Sequence, residues 1–219
     1  MKNLQLKINP IFSTPLIMTV LPNMQDLNLA LKTLFESIET SNNRNSQPAP
    51  TTRINIFDSE MDLFDWEDDA VKRLKEILLP ICEQAIKSLN GYDFDLTSRF
   101  SMNVDSWFHI TNDHGYISPH IHSNASWSAV YYVDDGSPDA TYQDNGVIRF
   151  LDTRTGANMY LDAGNYGMQE PFNSGAFVVK PENSAFIMFP SYLNHEVAPF
   201  KGKGKRISIA FNISFSKKD

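Results

Sequence analysis

Two histidines stand two positions apart at the head of an apolar run. "SPHIHSNASWSAVYYV", residues 118–133, carries His120 and His122, and the chain has only 5 histidines. Imidazole is the commonest protein ligand for transition metals. Alternate residues of a strand share a face, so both rings can reach one ion if further ligands arrive from elsewhere in the chain. The third candidate is His195, in "AFIMFPSYLNHEV", residues 185–197. There the run Ala185–Phe189 reads as buried on both faces and Pro190 ends it. One histidine beside a strand is usually a satisfied polar residue. Three of them in two segments at the edges of apolar strands are less easily explained that way.

A cation follows His195 by eleven positions, across a turn of glycines and lysines. "RISIAFNISF", residues 206–215, alternates cleanly. Ile207, Ile209, Phe211, Ile213 and Phe215 point one way, while Arg206, Ser208, Ala210, Asn212 and Ser214 point the other. The apolar face must be covered, and the N-terminal helices are the available cover. The polar face is the wet side of an exposed sheet, or it lines a cavity if the sheet folds over. In the second case Arg206 is a fixed cation whose planar fork suits a carboxylate, with Ser208 beside it as a second hydrogen-bond donor.

The elements that must position these groups fall into two parts. In residues 1–94 a short strand-like stretch, "IFSTPLIMTVL", precedes two helical patterns. The first has Met24, Leu27, Leu31, Leu34, Phe35 and Ile38 at helical spacing. A polar, proline-bearing loop spans 41–53. The acidic run 58–69 suits a helix N-terminus, and it leads into Val71, Leu74, Ile77, Leu78, Ile81, Ala85, Ile86 and Leu89. Pro80 is expected to kink that helix, and Asn90-Gly91 to stop it. From 95 to 219 the segments are short, β-branched or aromatic, and bounded by turn residues, the pattern of an antiparallel sandwich or barrel. The long loop 152–174 interrupts them, and loops of that length in compact domains usually serve function. One domain is expected overall, mainly β with flanking helices.

Composition limits the function classes. The net charge of −7 lacks the basic footprint of a protein that binds nucleic acid generally. The cluster Lys201, Lys203, Lys205 and Arg206 begins as a solvated turn. One cysteine, Cys82, allows no internal disulfide. No run approaches a membrane span, and no leader pattern opens the chain. A cytoplasmic setting is expected.

"SPHIHSNASWSAVYYV", "GVIRFLD" and "FIMFPSYLNHEVAPFKGKGKRISIAFN", taken in that order, resemble the Fe(II)- and 2-oxoglutarate-dependent dioxygenases. The likeness is to the branch related to prolyl 4-hydroxylases and found in bacteria and phages, and it covers residues 95–215. It implies a double-stranded β-helix, or jelly roll, with helices on one sheet. It also implies a metal held by His120 and His195, and a cosubstrate carboxylate held by Arg206 and Ser208. Tyr132, in phase with Ser128 and Val130, is a candidate hydrogen-bond donor to the cosubstrate or else a core aromatic. His122 stands where the wider family has aspartate. Three alternatives follow: His122 ligates the metal, His122 turns away, or a carboxylate such as Asp105 or Asp113 completes the set. Asn124 and Trp107 are candidate pocket residues, and loop 152–174 is a candidate lid. His109 and His114 read as structural.

The implied reaction consumes 2-oxoglutarate and O2, releases succinate and CO2, and hydroxylates a C–H bond of a peptidyl or small-molecule substrate, with ascorbate as a possible support for Fe(II). Two other readings stay open. One is a cupin-like three-histidine metal enzyme without 2-oxoglutarate, which has no use for Arg206. The other is a jelly roll that only binds or supports.

Overall fold

The computed structural model describes residues 5–39, 43–47 and 50–218. The first four residues, and part of the loop read at 41–53, lie outside that range. Strands dominate: β1 (Ile17–Val20), β2 (Arg53–Asp58), β3 (Phe100–His120), β4 (Trp127–Asp134), β5 (Ile148–Leu151), β6 (Ala176–Val179), β7 (Ala185–Pro190), β8 (His195–Val197) and β9 (Arg206–Lys217). The helices are α1 (Gln25–Ser37), α2 (Asp69–Asn90) and the single turn α3 (Leu96–Arg99).

All strand pairs are antiparallel. The order is β1-β7-β4-β9-β3-β8-β5-β6, with β2 on β3 beside this path. The curl of the sheet comes from β3, which is 21 residues long. Its first half pairs with β9, from Phe100 opposite Lys217 to Thr111 opposite Arg206. Its end pairs with β8, where Ile117 faces Val197 and His120 faces His195. A register shift separates those last two pairs; an irregularity of this kind bends a strand and re-aims its side chains. One strand thus belongs to both walls of a half-barrel.

The alternation of β9 is realised on both faces. Ile207, Ile209, Phe211 and Ile213 are fully buried. They pack in one cluster with Leu27, Leu31 and Phe35 of α1 and Leu74, Leu78 and Cys82 of α2. Each such side chain contributes about 1.5–3 kcal/mol relative to exposure. The opposite face of β9 lines a cavity.

α2 begins where the acidic run predicts. The Asp68 carboxylate accepts from the main-chain N–H groups of Ala70 at 2.8 Å and Val71 at 3.2 Å. It ends at Gly91, whose φ of 66° is the left-handed C-terminal geometry. The helix runs unbroken past Pro80. The stretch 53–58, which carries no strong strand signal, forms β2 and pairs with β3. Among the described residues no helix is long and apolar enough to cross a membrane.

Candidate functional site

The pairings gather the proposed chemistry at one place. His120 ends β3 and faces His195 at the start of β8, while His122 follows β3 by two residues. One ring nitrogen from each of His120, His122 and His195 lies within 4.8 Å of the other two. The ring centroids of His120 and His195 are 4.2 Å apart, and that of His122 is 5.1 Å and 5.2 Å from them. These three imidazoles open onto a cavity of about 50 Å³. No carboxylate lines it among the described residues. Asp105 is exposed, and Asp113 pairs with His114 at the surface. Asn124 is exposed and does not line the cavity.

Two of the rings are held as ligands need to be held. His120 Nδ1 is 2.9 Å from the Ser118 carbonyl, and His195 Nδ1 is 2.9 Å from the Leu193 carbonyl. A carbonyl only accepts, so both rings carry Nδ1–H and present an unprotonated Nε2. Burial pushes the pKa of His122 and of His195 down to about 3, with the neighbouring His120 adding to the effect in both. Burial likewise lowers the pKa of His120, and the nearby charge of Arg53 adds to the effect. At neutral pH the set is therefore uncharged, and His120 and His195 present free Nε2 lone pairs. Three neutral nitrogen ligands suit a divalent transition metal.

Arg206 lies in the same cavity at 3% exposure. Its Nη1 donates to the Gly146 carbonyl at 2.7 Å and its Nη2 to Thr111 Oγ1 at 3.3 Å. Nε has no hydrogen-bond partner, and Arg206 forms no ion pair with a described residue. Burial lowers its pKa, and the Tyr132 phenol counters part of that effect. A buried cation without an anion is costly, so the cradle fits a ligand that brings a carboxylate. Ser208 is two residues along the same face of β9, and Tyr132 lies opposite Ser208 on β4. Both are buried and line the cavity.

Some cavity residues have no sequence signal of their own. His109, read as structural, lines the wall together with Trp107 and Arg53. Trp107 Nε1–H donates to His109 Nε2 at 2.7 Å, and Asp58 Oδ1 is 2.9 Å from that same nitrogen. The indole and the carboxylate thus compete for one ring atom. Burial would raise the Asp58 pKa, but the charges of His109 and Arg53 outweigh it and hold the carboxyl low. Trp107 was a candidate pocket residue from the sequence, and His109 shares its face of β3.

Residues 105–212 match the family described as "Putative 2OG-Fe(II) oxygenase". Over those residues the chain is similar to the 2OG-Fe(II) oxygenases. Solved structures agree on the jelly-roll fold. A Pseudomonas putida prolyl-4-hydroxylase is 17% identical, with a TM-score of 0.59 over 93% of this chain and 93% of that one. A Trichoplax adhaerens prolyl hydroxylase, in complex with a hypoxia inducible factor peptide fragment, is 12% identical with a TM-score of 0.58, over 93% of this chain and 84% of that one. HygX from Streptomyces hygroscopicus, with nickel and 2-oxoglutarate bound, is 11% identical with a TM-score of 0.55, over 92% of this chain and 83% of that one. No curated protein matches by sequence. Fe(II) and 2-oxoglutarate are the cofactors of the 2OG-Fe(II) oxygenases, and the imidazole set and the unpaired guanidinium fit both.

Proposed function

We propose that this protein is a 2OG-Fe(II) oxygenase that hydroxylates a peptidyl or small-molecule substrate, with Fe(II) held by His120, His122 and His195. The observation that carries this reading is the buried Arg206 guanidinium, which shares one cavity with three neutral imidazoles and meets no carboxylate among the described residues. Bound Fe(II) and 2-oxoglutarate supply, with O2, the oxidising power that places oxygen in a C–H bond, as 2-oxoglutarate is converted to succinate and CO2.

The chain's own groups have separable tasks. The three imidazoles would hold the metal. Arg206 anchors the far carboxylate of 2-oxoglutarate by charge-assisted hydrogen bonds. Ser208 and Tyr132 supply neutral donors beside it. Ile148, Phe189 and Val197 make the wall apolar, which keeps water from competing for these contacts. A set of three neutral imidazoles would offset none of a bound cation's charge, which would favour an anionic cosubstrate beside it.

The test is turnover. Purified protein incubated with Fe(II), 2-oxoglutarate, ascorbate and O2 is expected to form succinate, and His195→Ala to form none. Succinate at background level in the wild type, with metal bound, would remove the oxygenase reading in favour of a cupin-like metal protein.

A further inference from the structure

His122 is held differently from its two partners. His120 and His195 each place Nδ1 against a main-chain carbonyl, which can only accept. His122 Nδ1 is instead 3.3 Å from Nδ2 of Asn212, an amide donor. In that contact Nδ1 accepts, so the neutral ring carries its proton on Nε2. Nε2 is the nitrogen left for the shared point, and while protonated it has no lone pair for a metal.

The Asn212 amide is itself locked from behind. Its Oδ1 accepts from Ser128 Oγ at 2.8 Å, and Ser128 Oγ is 2.8 Å from Ser191 Oγ. Asn212, Ser128 and Ser191 are all buried. The Ser191 carbonyl also accepts the main-chain N–H of His122 at 3.0 Å. Hydroxyls both donate and accept, so this chain of groups can run in either direction without moving its oxygens. If the amide makes half a turn, Oδ1 accepts from His122 Nδ1–H, Nδ2 donates to Ser128, and Ser128 donates to Ser191.

We propose that Asn212 is a positioning residue that decides whether His122 is a ligand, through which amide atom it turns toward Nδ1. With nitrogen forward the site has two competent imidazoles. With oxygen forward it has three, and all three then share the arrangement in which Nδ1–H donates to an oxygen. This inference rests on the reading of the cavity as a metal site.

The test uses Zn(II), calorimetry and nitrogen NMR of protein with ¹⁵N-labelled histidine. In the metal-free wild type the His122 ring is expected to be protonated on Nε2, and in the Zn(II)-loaded protein on Nδ1. The tautomers of His120 and His195 stay unchanged. Asn212→Asp offers only acceptor atoms, so it holds the Nδ1–H tautomer without metal and binds Zn(II) at least as tightly as the wild type. Asn212→Leu offers none, and loses about 10–100-fold in Zn(II) affinity. Asn212→Leu binding as tightly as the wild type, Asn212→Asp binding as weakly as Asn212→Leu, or Nδ1–H on His122 in the metal-free wild type would each overturn the role of Asn212. The wild-type tautomer is readable even if a variant does not fold. A wild type that binds no Zn(II) at all would instead remove the metal reading beneath it.

Discussion

Arg206 donates from Nη1 to the carbonyl of Gly146 at 2.7 Å, and Gly146 holds a φ of 62°. A Cβ on Gly146 would lie 2.7 Å from that same Nη1. The left-handed backbone at this turn and the missing side chain together make the recess in which the guanidinium sits. The recess satisfies part of the cation with neutral oxygens and leaves its charge unpaired. An arrangement of this kind costs stability in the ligand-free protein and is offset only when an anion arrives.

That cost should be visible directly. Arg206→Met replaces a buried, unpaired cation with an apolar chain of similar reach. The metal-free protein is expected to gain about 1–3 kcal/mol, roughly 2–10 °C in Tm, while affinity for 2-oxoglutarate falls by at least about 100-fold. Thermal unfolding and calorimetry measure both. A lower Tm together with unchanged 2-oxoglutarate affinity would contradict the assignment of Arg206.

Gly146→Ala probes the same recess from the other side. The left-handed backbone costs a residue with Cβ about 1–2 kcal/mol, and the methyl group pushes on Nη1. Affinity for 2-oxoglutarate is expected to fall about 10-fold, the equivalent of ~1.4 kcal/mol, with metal affinity unchanged because the imidazoles lie elsewhere on β3 and β8. Equal losses of metal and cosubstrate binding would show a general disturbance instead.

The buried imidazoles make stability depend on pH in a fixed direction. The folded-state pKa values of His122 and His195 are about 3, against an ordinary value of 6.5. Because the folded values are depressed, the stabilisation is fully present above about pH 6.5. It is lost as pH falls toward 3, where unfolding allows the rings to take up protons. The Tm of the metal-free protein is expected to drop steadily over that window, and His122→Gln to drop less steeply. A Tm that is flat between pH 6.5 and 4 would mean the rings are not buried in neutral form.

Asp58 is 7% exposed and faces both His109 and Arg53, with its Oδ2 3.4 Å from Arg53 Nε. Asp58→Asn removes the anion and leaves the Arg53 guanidinium in place. Breaking a buried pair in this way costs about 3–5 kcal/mol, so Tm should fall by on the order of 10 °C. A loss below about 2 °C would show that water already screens the group.

Much of this was legible in the sequence where a pattern is local. The alternation of β9 assigned Ile207, Ile209, Phe211 and Ile213 to one face, and Arg206, Ser208 and Asn212 to the other. It gave no partner for Asn212, because its contact with His122 spans 90 positions and depends on the register of β4, β7 and β9. The spacing of His120 and His122 was visible, and the placement of His195 against His120 follows from a β3–β8 pairing that no local pattern encodes. β2 was missed because its alternation, clear over Arg53–Ile56, is short and ends at Phe57, and with it the partners of His109. The absence of a carboxylate ligand could not be read at all: Asp105 lies close in sequence to cavity residues but occupies the exposed side of β3.

The most direct test of the joint site is an anaerobic calorimetric titration of 2-oxoglutarate into the protein with and without Fe(II). One equivalent is expected to bind when Fe(II) is present, with affinity greatly reduced in its absence and lost in Arg206→Met. Binding of 2-oxoglutarate that ignores the metal, or Fe(II) that binds as well after His120, His122 and His195 are all replaced by alanine, would contradict a cavity in which imidazoles and guanidinium hold the two together.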